Sequence, residues 1–217
     1  MCFYIKKRIY IWHTKRLVFI TMDNTKDIIT EEAFKLFLNH SYEAVSINNI
    51  SKAIGFTKGA LYHHFKNKEE LFKSVVDKYL YIPEVITDID TISLSDYIQL
   101  SITQTEKIVR RMFSFSLTFA PINYMSLFAD AFRHYPEYAE QKGDFITNEI
   151  EKTKKVLENA IKTGEIRDDM NTSLIATNFF SIQMGLAGSL VRNNSLENAI
   201  AMLKEQNLEF YKLLKKQ

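Results

Sequence analysis

One short run of the chain gathers the side chains best suited to polar recognition: Thr57, Lys58, Tyr62, His63, His64 and Lys68. Hydroxyl and ammonium groups of this kind hold phosphate oxygens, while Lys, His and Asn side chains can reach base edges. The adjacent imidazoles also raise a metal reading. Neighbours in a helix point about 100° apart, so His63 and His64 cannot close on one ion as an i, i+4 pair does, and no metal or other cofactor is expected here. Nor is there a catalytic constellation, since the chain lacks a glycine-rich phosphate loop, an HExxH, a GxSxG and a cysteine cluster. An enzyme is therefore not expected. The single cysteine, Cys2, can form no internal disulfide and fits a reducing cytoplasm.

Two short helices must position this set. Ile47, Ile50, Ala53 and Ile54 recur at helical spacing, and Gly55 then ends the helix by taking the left-handed backbone cheaply. Phe56 is expected to turn inward and Thr57 to cap the amides of the next helix. Leu61 and Phe65, one turn apart, would bury one face of that helix. Its opposite side then presents Lys58, Tyr62 and His63, with the small Gly59 and Ala60 letting the backbone come close to a surface. This is the pattern of a helix-turn-helix DNA reader. Spacing alone leaves a second reading open, an ordinary helical hairpin whose polar face meets water.

The run from about Thr25 to Tyr81 resembles the N-terminal DNA-binding domain of the TetR family of bacterial transcriptional regulators. The family's signature of Leu-Tyr, two further positions, Phe, and then Lys before an acidic pair stands here as Leu61, Tyr62, His63, His64, Phe65, Lys68, Glu69 and Glu70. A first helix from Thr25 to Asn39 would turn Ile29, Ala33, Leu36 and Phe37 inward, and Ser46 would cap the second. The resemblance implies phosphate contacts from Thr57, Tyr62, His64 and Lys68. It implies base contacts from Lys58, Gly59, Ala60 and His63, with Asn48 also able to reach a base edge and Ser46 in the same DNA-facing set.

Composition supports an all-α protein: 46% of residues are hydrophobic, 13% are aromatic, and only six Gly and three Pro occur in 217 residues. The expected architecture is a three-helix helix-turn-helix domain over residues 22–81 and a larger helical domain for effector binding and dimerisation over 82–217, about nine helices in total. Residues 1–21 form a separate basic extension with Lys6, Lys7, Arg8, Lys15, Arg16 and no acid, which leaves residues 22–217 at −3. DNA attraction must then come from local patches. The extension reads as an over-extended start ahead of Met22 or as a disordered, DNA-tracking arm, with a membrane-surface segment as the third reading. No apolar run is expected to cross a bilayer, the longest being Phe179 to Val191.

Beyond Tyr81 the signature ends, and helices are expected at about 95–113, 122–134, 137–163, 172–193 and 196–215. A turn at residues 164–169 separates the last two from the rest. Tyr97, Met112, Phe113, Phe115, Phe119, Tyr124, Met125, Phe128 and Phe132 would line a pocket for a small apolar or aromatic effector, with Gln183, His134 and Asn178 able to orient it. Such a stripe can equally be plain core. The final pair of helices carries the expected homodimer interface through Phe179, Met184, Gly185, Gly188, Ile200, Leu203, Phe210 and Leu214. The resemblance then implies a cytoplasmic, ligand-responsive repressor that binds a near-palindromic double-stranded operator as a homodimer. A helical adaptor, or a regulator answering to a protein partner, is the alternative.

Overall fold

Hydrophobic spacing at three and four residues recurs through most of this chain, and helices follow from it. The computed structural model describes residues 3–5, 8–13, 16–83, 88–115 and 120–216, with side chains from Thr25 onward. Among these, nine helices run from Met22 to Leu214. Upstream of them, Phe3–Ile5 (β1), Arg8–His13 (β2) and Arg16–Thr21 (β3) form an antiparallel meander in the order β1-β2-β3. Tyr10 pairs with both Phe3 and Phe19 in its register. The segment's β-branched and aromatic residues favour extended backbone.

The chain divides into two compact units, Met1–Tyr81 with Ser126–Pro136, and Ile82–Met125 with Glu137–Gln217. In the first, α1 (Met22–Asn39), α2 (Ile47–Ile54), α3 (Lys58–His64) and α4 (Lys68–Tyr79) surround a core of Ile29, Ala33, Phe34, Phe37, Leu61, Phe65, Leu71, Phe72 and Val75. Phe34 and Leu38 are fully inward on α1, whereas Leu36, expected there, is only half-buried. The Phe34 ring stacks on Tyr79 at 3.9 Å, which ties α1 to α4. The second half of α6 (Pro121–His134) belongs to this unit although it lies far beyond it in sequence.

The second unit holds α5 (Leu94–Ser114), α7 (Pro136–Lys162, from Glu137), α8 (Thr172–Asn193) and α9 (Leu196–Leu214). Glu165 organises its open end. Its carboxylate accepts from the first two amides of α5, Leu94 N and Ser95 N, each at 2.9 Å, and from the Tyr211 hydroxyl of α9 at 2.8 Å. A carboxylate at a helix N-terminus satisfies donors that the helix itself cannot. Gly164, at φ 76°, supplies the left-handed turn that brings Glu165 there.

Candidate nucleic-acid interface

The turn between α2 and α3 is a complete Schellman closure. Gly55 sits at φ 77°, ψ 21°; its N–H donates to Lys52 O at 3.3 Å, and Phe56 N–H donates to Ser51 O at 3.0 Å. Ser46 caps α2 by accepting from Asn49 N at 3.1 Å, and Asn49 Oδ1 returns the favour to Ser46 N at 2.9 Å. This reciprocal capping box uses an Asn three residues on rather than the usual acid or Gln. Thr57 caps α3 by accepting from Ala60 N at 3.2 Å. Leu61 and Phe65 are fully buried, which fixes the rotation of α3 about its axis.

With that rotation set, Lys58, Gly59, Tyr62 and His63 lie exposed, and Tyr62 presents 52% of its surface. Asn48 is exposed on the first turn of α2, and Ser46 and Thr57 are exposed at the two caps. A β-carbon on Gly59 would meet nothing nearer than Thr57 Oγ1 at 3.9 Å. Packing therefore does not require glycine, and its effect is to leave the start of α3 bare. Ala60 and His64 are half-buried. Burial first, then the charges of His63 and Lys26, lower the pKa of His64 and favour its neutral form, which can donate one hydrogen bond but carries no charge to a phosphate.

Lys68 differs from the others. At the start of α4, beyond the Asn67 cap, its ammonium donates to Tyr42 O at 2.9 Å and lies 4.0 Å from the Tyr42 ring centroid. Nothing in the signature singles out Tyr42, which stands outside it. The available signal was an aromatic residue just before the α2 cap, placed where Phe37 and Phe72 can receive it.

The expected effector residues do not form one set. Phe128 and Phe132 lie on the part of α6 that belongs to the first unit. Phe119 lies outside the described residues. Within the second unit Tyr124 is buried with its hydroxyl donating to Met112 O, and Phe113 meets the Tyr124 ring edge-on at 4.8 Å. Tyr97 shares a hydrogen bond with Thr153 at 3.0 Å. Gln183 bridges α8 to α5, accepting from Thr105 Oγ1 at 3.1 Å and donating to Ser101 Oγ at 3.2 Å. Phe115 and Met125 are exposed, as is Asn178. His134 belongs to the first unit. In the second unit a surface groove of about 510 Å³ runs along α7 past Ile89, Asn148, Glu151, Lys152, Lys154, Lys155 and Glu158, and none of the expected lining residues borders it.

The expected dimer residues also separate. Phe179, Ile200, Leu203 and Leu214 are buried in the chain's own cores and Phe210 packs against Phe179, so these side chains have little surface left to offer a partner. Met184, Gly185 and Gly188 are exposed. They belong to a row, Leu174, Thr177, Ser181, Met184, Gly188 and Val191, all exposed at alternating three- and four-residue steps along α8. Leu208 and Leu213 are exposed on α9. Helical spacing alone could have found this row, but a helix apolar nearly all the way round hides which side is inward. Among the described residues α8 is also long and apolar enough to cross a membrane by length and composition, contrary to the expectation from Phe179 to Val191, because Ser, Thr and Gln interrupt the run without charging it.

Residues 29–75 match the family model described as bacterial regulatory proteins, tetR family. The HTH-type transcriptional repressor ComR of Escherichia coli K12 is 42% identical over 55 residues, which cover 25% of this chain and 26% of that one. The chain thus matches about a quarter of that curated relative's length. Native NalD, the secondary repressor of the MexAB-OprM multidrug efflux pump in Pseudomonas aeruginosa, superposes with a TM-score of 0.55 at 18% identity, covering 87% of this chain and 96% of NalD. A SmeT–triclosan complex superposes at 0.51 with 16% identity, covering 85% and 90%. At these identities the two structures speak to the fold.

Proposed function

We propose, for a chain that belongs to the TetR family of bacterial transcriptional regulators, that it works as a homodimeric repressor which leaves a near-palindromic operator when a small apolar or aromatic effector binds. The observation that carries the DNA-binding part is the exposed face of α3. Lys58, Tyr62 and His63 are turned to solvent by a buried Leu61 and Phe65, behind a Schellman turn that sets the angle to α2. One helix of that width fits a major groove about 12 Å across. Thr57, Tyr62, His64 and Lys68 would hold phosphates, and Asn48, Lys58 and His63 would read bases.

Dimerisation is supported by the exposed row on α8 and the leucines on α9, a face of small and apolar groups that suits a second copy of itself. Two recognition helices related by a twofold axis would then meet successive major grooves, about 34 Å apart. Effector response is supported by the fold shared with SmeT, whose structure is a complex with triclosan. Such an effector acts by binding one spacing of the recognition helices better than the other.

Fluorescence anisotropy with operator fragments from the intergenic DNA beside the gene, repeated across salt concentrations, tests this reading. Specific binding with a steep negative salt slope, tightest on a palindrome, supports it. A slope near zero would remove DNA as the partner.

A further inference from the structure

We propose that Glu43, Asp130 and His134 form a binding site for a first-row divalent cation of the zinc class, which clips the end of α6 to the segment between α1 and α2. All three residues lie in the first unit, and one ligand atom from each comes within 4.8 Å of the others. Asp130 and His134 stand four residues apart on α6, the separation that brings two ligands onto one helix face. Glu43 arrives from the opposing segment, with its Oε1 at 2.7 Å from His134 Nε2.

The geometry is that of a prepared site. Asp130 is 3% exposed, and its Oδ2 accepts the Tyr42 amide at 2.8 Å, which fixes the carboxylate and leaves Oδ1, 3.7 Å from Arg133, as the oxygen that a cation would take. The His134 ring stacks on Tyr42 at 4.2 Å and 22°, so its orientation is held as well. His134 Nε2 is buried and has no hydrogen-bond partner in line, although Glu43 Oε1 is close. A buried ring nitrogen 2.7 Å from one carboxylate and within 4.8 Å of a second, without an aligned hydrogen bond, is an arrangement that a shared cation completes. An amide on the carboxylate and a ring stacked on the imidazole are the kind of surrounding contacts that hold metal ligands in place.

Imidazole and carboxylate oxygen without thiolate select a zinc-like divalent ion over a soft monovalent one. Two adjustments accompany binding. Arg133, 3.7 Å from Asp130 Oδ1 and largely exposed, swings away, and Glu43 draws back a few tenths of an ångström so that nitrogen and oxygen can share one ion. Three protein ligands leave a fourth, water-filled position, so the site would bind reversibly rather than lock the fold. The ion would sit one ring from Lys68, which rests on Tyr42.

Zinc(II) titration of the metal-free full-length chain against a chromophoric chelator tests the proposal without DNA, so its failure is distinct from failure of the repressor reading. One equivalent per chain is expected, cobalt(II) should give visible ligand-field bands, and zinc should raise the melting temperature. Glu43→Gln should weaken binding by at least about tenfold, the lower end of what even outer-shell changes cost. Asp130→Asn keeps an acceptor for the Tyr42 amide and should do the same. His134→Gln, checked for folding by circular dichroism, should abolish the cobalt bands, whereas His63→Ala should leave them intact. Absence of binding at micromolar zinc overturns the proposal, and so does binding that Glu43→Gln and Asp130→Asn leave unchanged.

Discussion

Lys68 and Tyr42 are joined twice over, by a hydrogen bond from the ammonium to the Tyr42 carbonyl at 2.9 Å and by its position 4.0 Å from the ring centroid. The charge that the signature assigns to DNA is therefore also a strut inside the first unit. Lys68→Ala is expected to lower stability by about 1 kcal/mol, from the lost hydrogen bond and cation–π contact, as well as weakening operator binding. Urea unfolding alongside anisotropy separates the two effects. An unchanged unfolding midpoint would show that the strut contributes nothing.

Tyr62 has no such second duty. Because 52% of it is exposed and no core residue depends on it, Tyr62→Ala should change stability by less than about 0.5 kcal/mol. Its effect should be a loss of operator affinity that is similar for every sequence tested. Asn48→Ala and His63→Ala should instead relax discrimination at single base pairs, by about 1–3 kcal/mol each. Affinities measured over a panel of single-base operator variants distinguish these patterns.

Gly55 holds its turn through backbone conformation alone. A β-carbon there would touch nothing within 4 Å, so the cost of Gly55→Ala is the strain of a left-handed φ and not a clash. That strain is about 1–2 kcal/mol. Thermal unfolding should register it, while Gly59→Ala, in an ordinary helical position with space around it, should be neutral or slightly stabilising.

Alkaline pH should expose two buried phenols. Burial, then the Glu165 carboxylate that accepts its hydroxyl, pushes Tyr211 up to about 12; burial, then Glu31 and Asp27, does the same for Tyr79. Both are raised from 10.0, so the unfolded chain loses these protons first. Their stabilising effect is whole below pH 10 and is lost as pH climbs toward 12. Phenolate absorbance should show late-titrating tyrosines that include these two, with one fewer in Tyr211→Phe. If every tyrosine titrated together near 10 in the folded protein, the buried environments would be wrong.

Met184 should report on self-association. It is 56% exposed in the centre of the α8 row. Met184→Glu should weaken a dimer by at least about tenfold while leaving helix content unchanged. Sedimentation over a range of concentrations measures this, and an identical profile for both proteins would place the interface elsewhere.

Local rules carried most of the fold. Glycine at a helix end, hydroxyls at caps and apolar residues at helical spacing placed α2 and α3 within a residue, and the start of α4 and the turn at Gly164 likewise, while α4 ends at Tyr79, short of Pro83, where its end was expected. Burial of Leu61 and Phe65 was legible because nothing but the spacing of two residues decides it. What could not be read were relationships made at long range. Glu165 capping α5, Tyr42 beneath Lys68, and α6 lending its second half to the first unit all depend on which distant segments meet. Which side of α8 turns inward was hidden for a related reason: Phe179 and Met184 are both apolar, and only the packing of the surrounding helices decides that Phe179 is covered and Met184 exposed.

The exposure of Lys58, Tyr62 and His63 has a consequence for how such a protein can change. None of the three contributes to the core, and the turn that aims them is closed by backbone hydrogen bonds and Gly55. Substitutions on that face are therefore nearly free of folding cost. A lineage can revise what α3 touches one residue at a time, each intermediate remaining fully folded, with no compensating change required elsewhere in the unit.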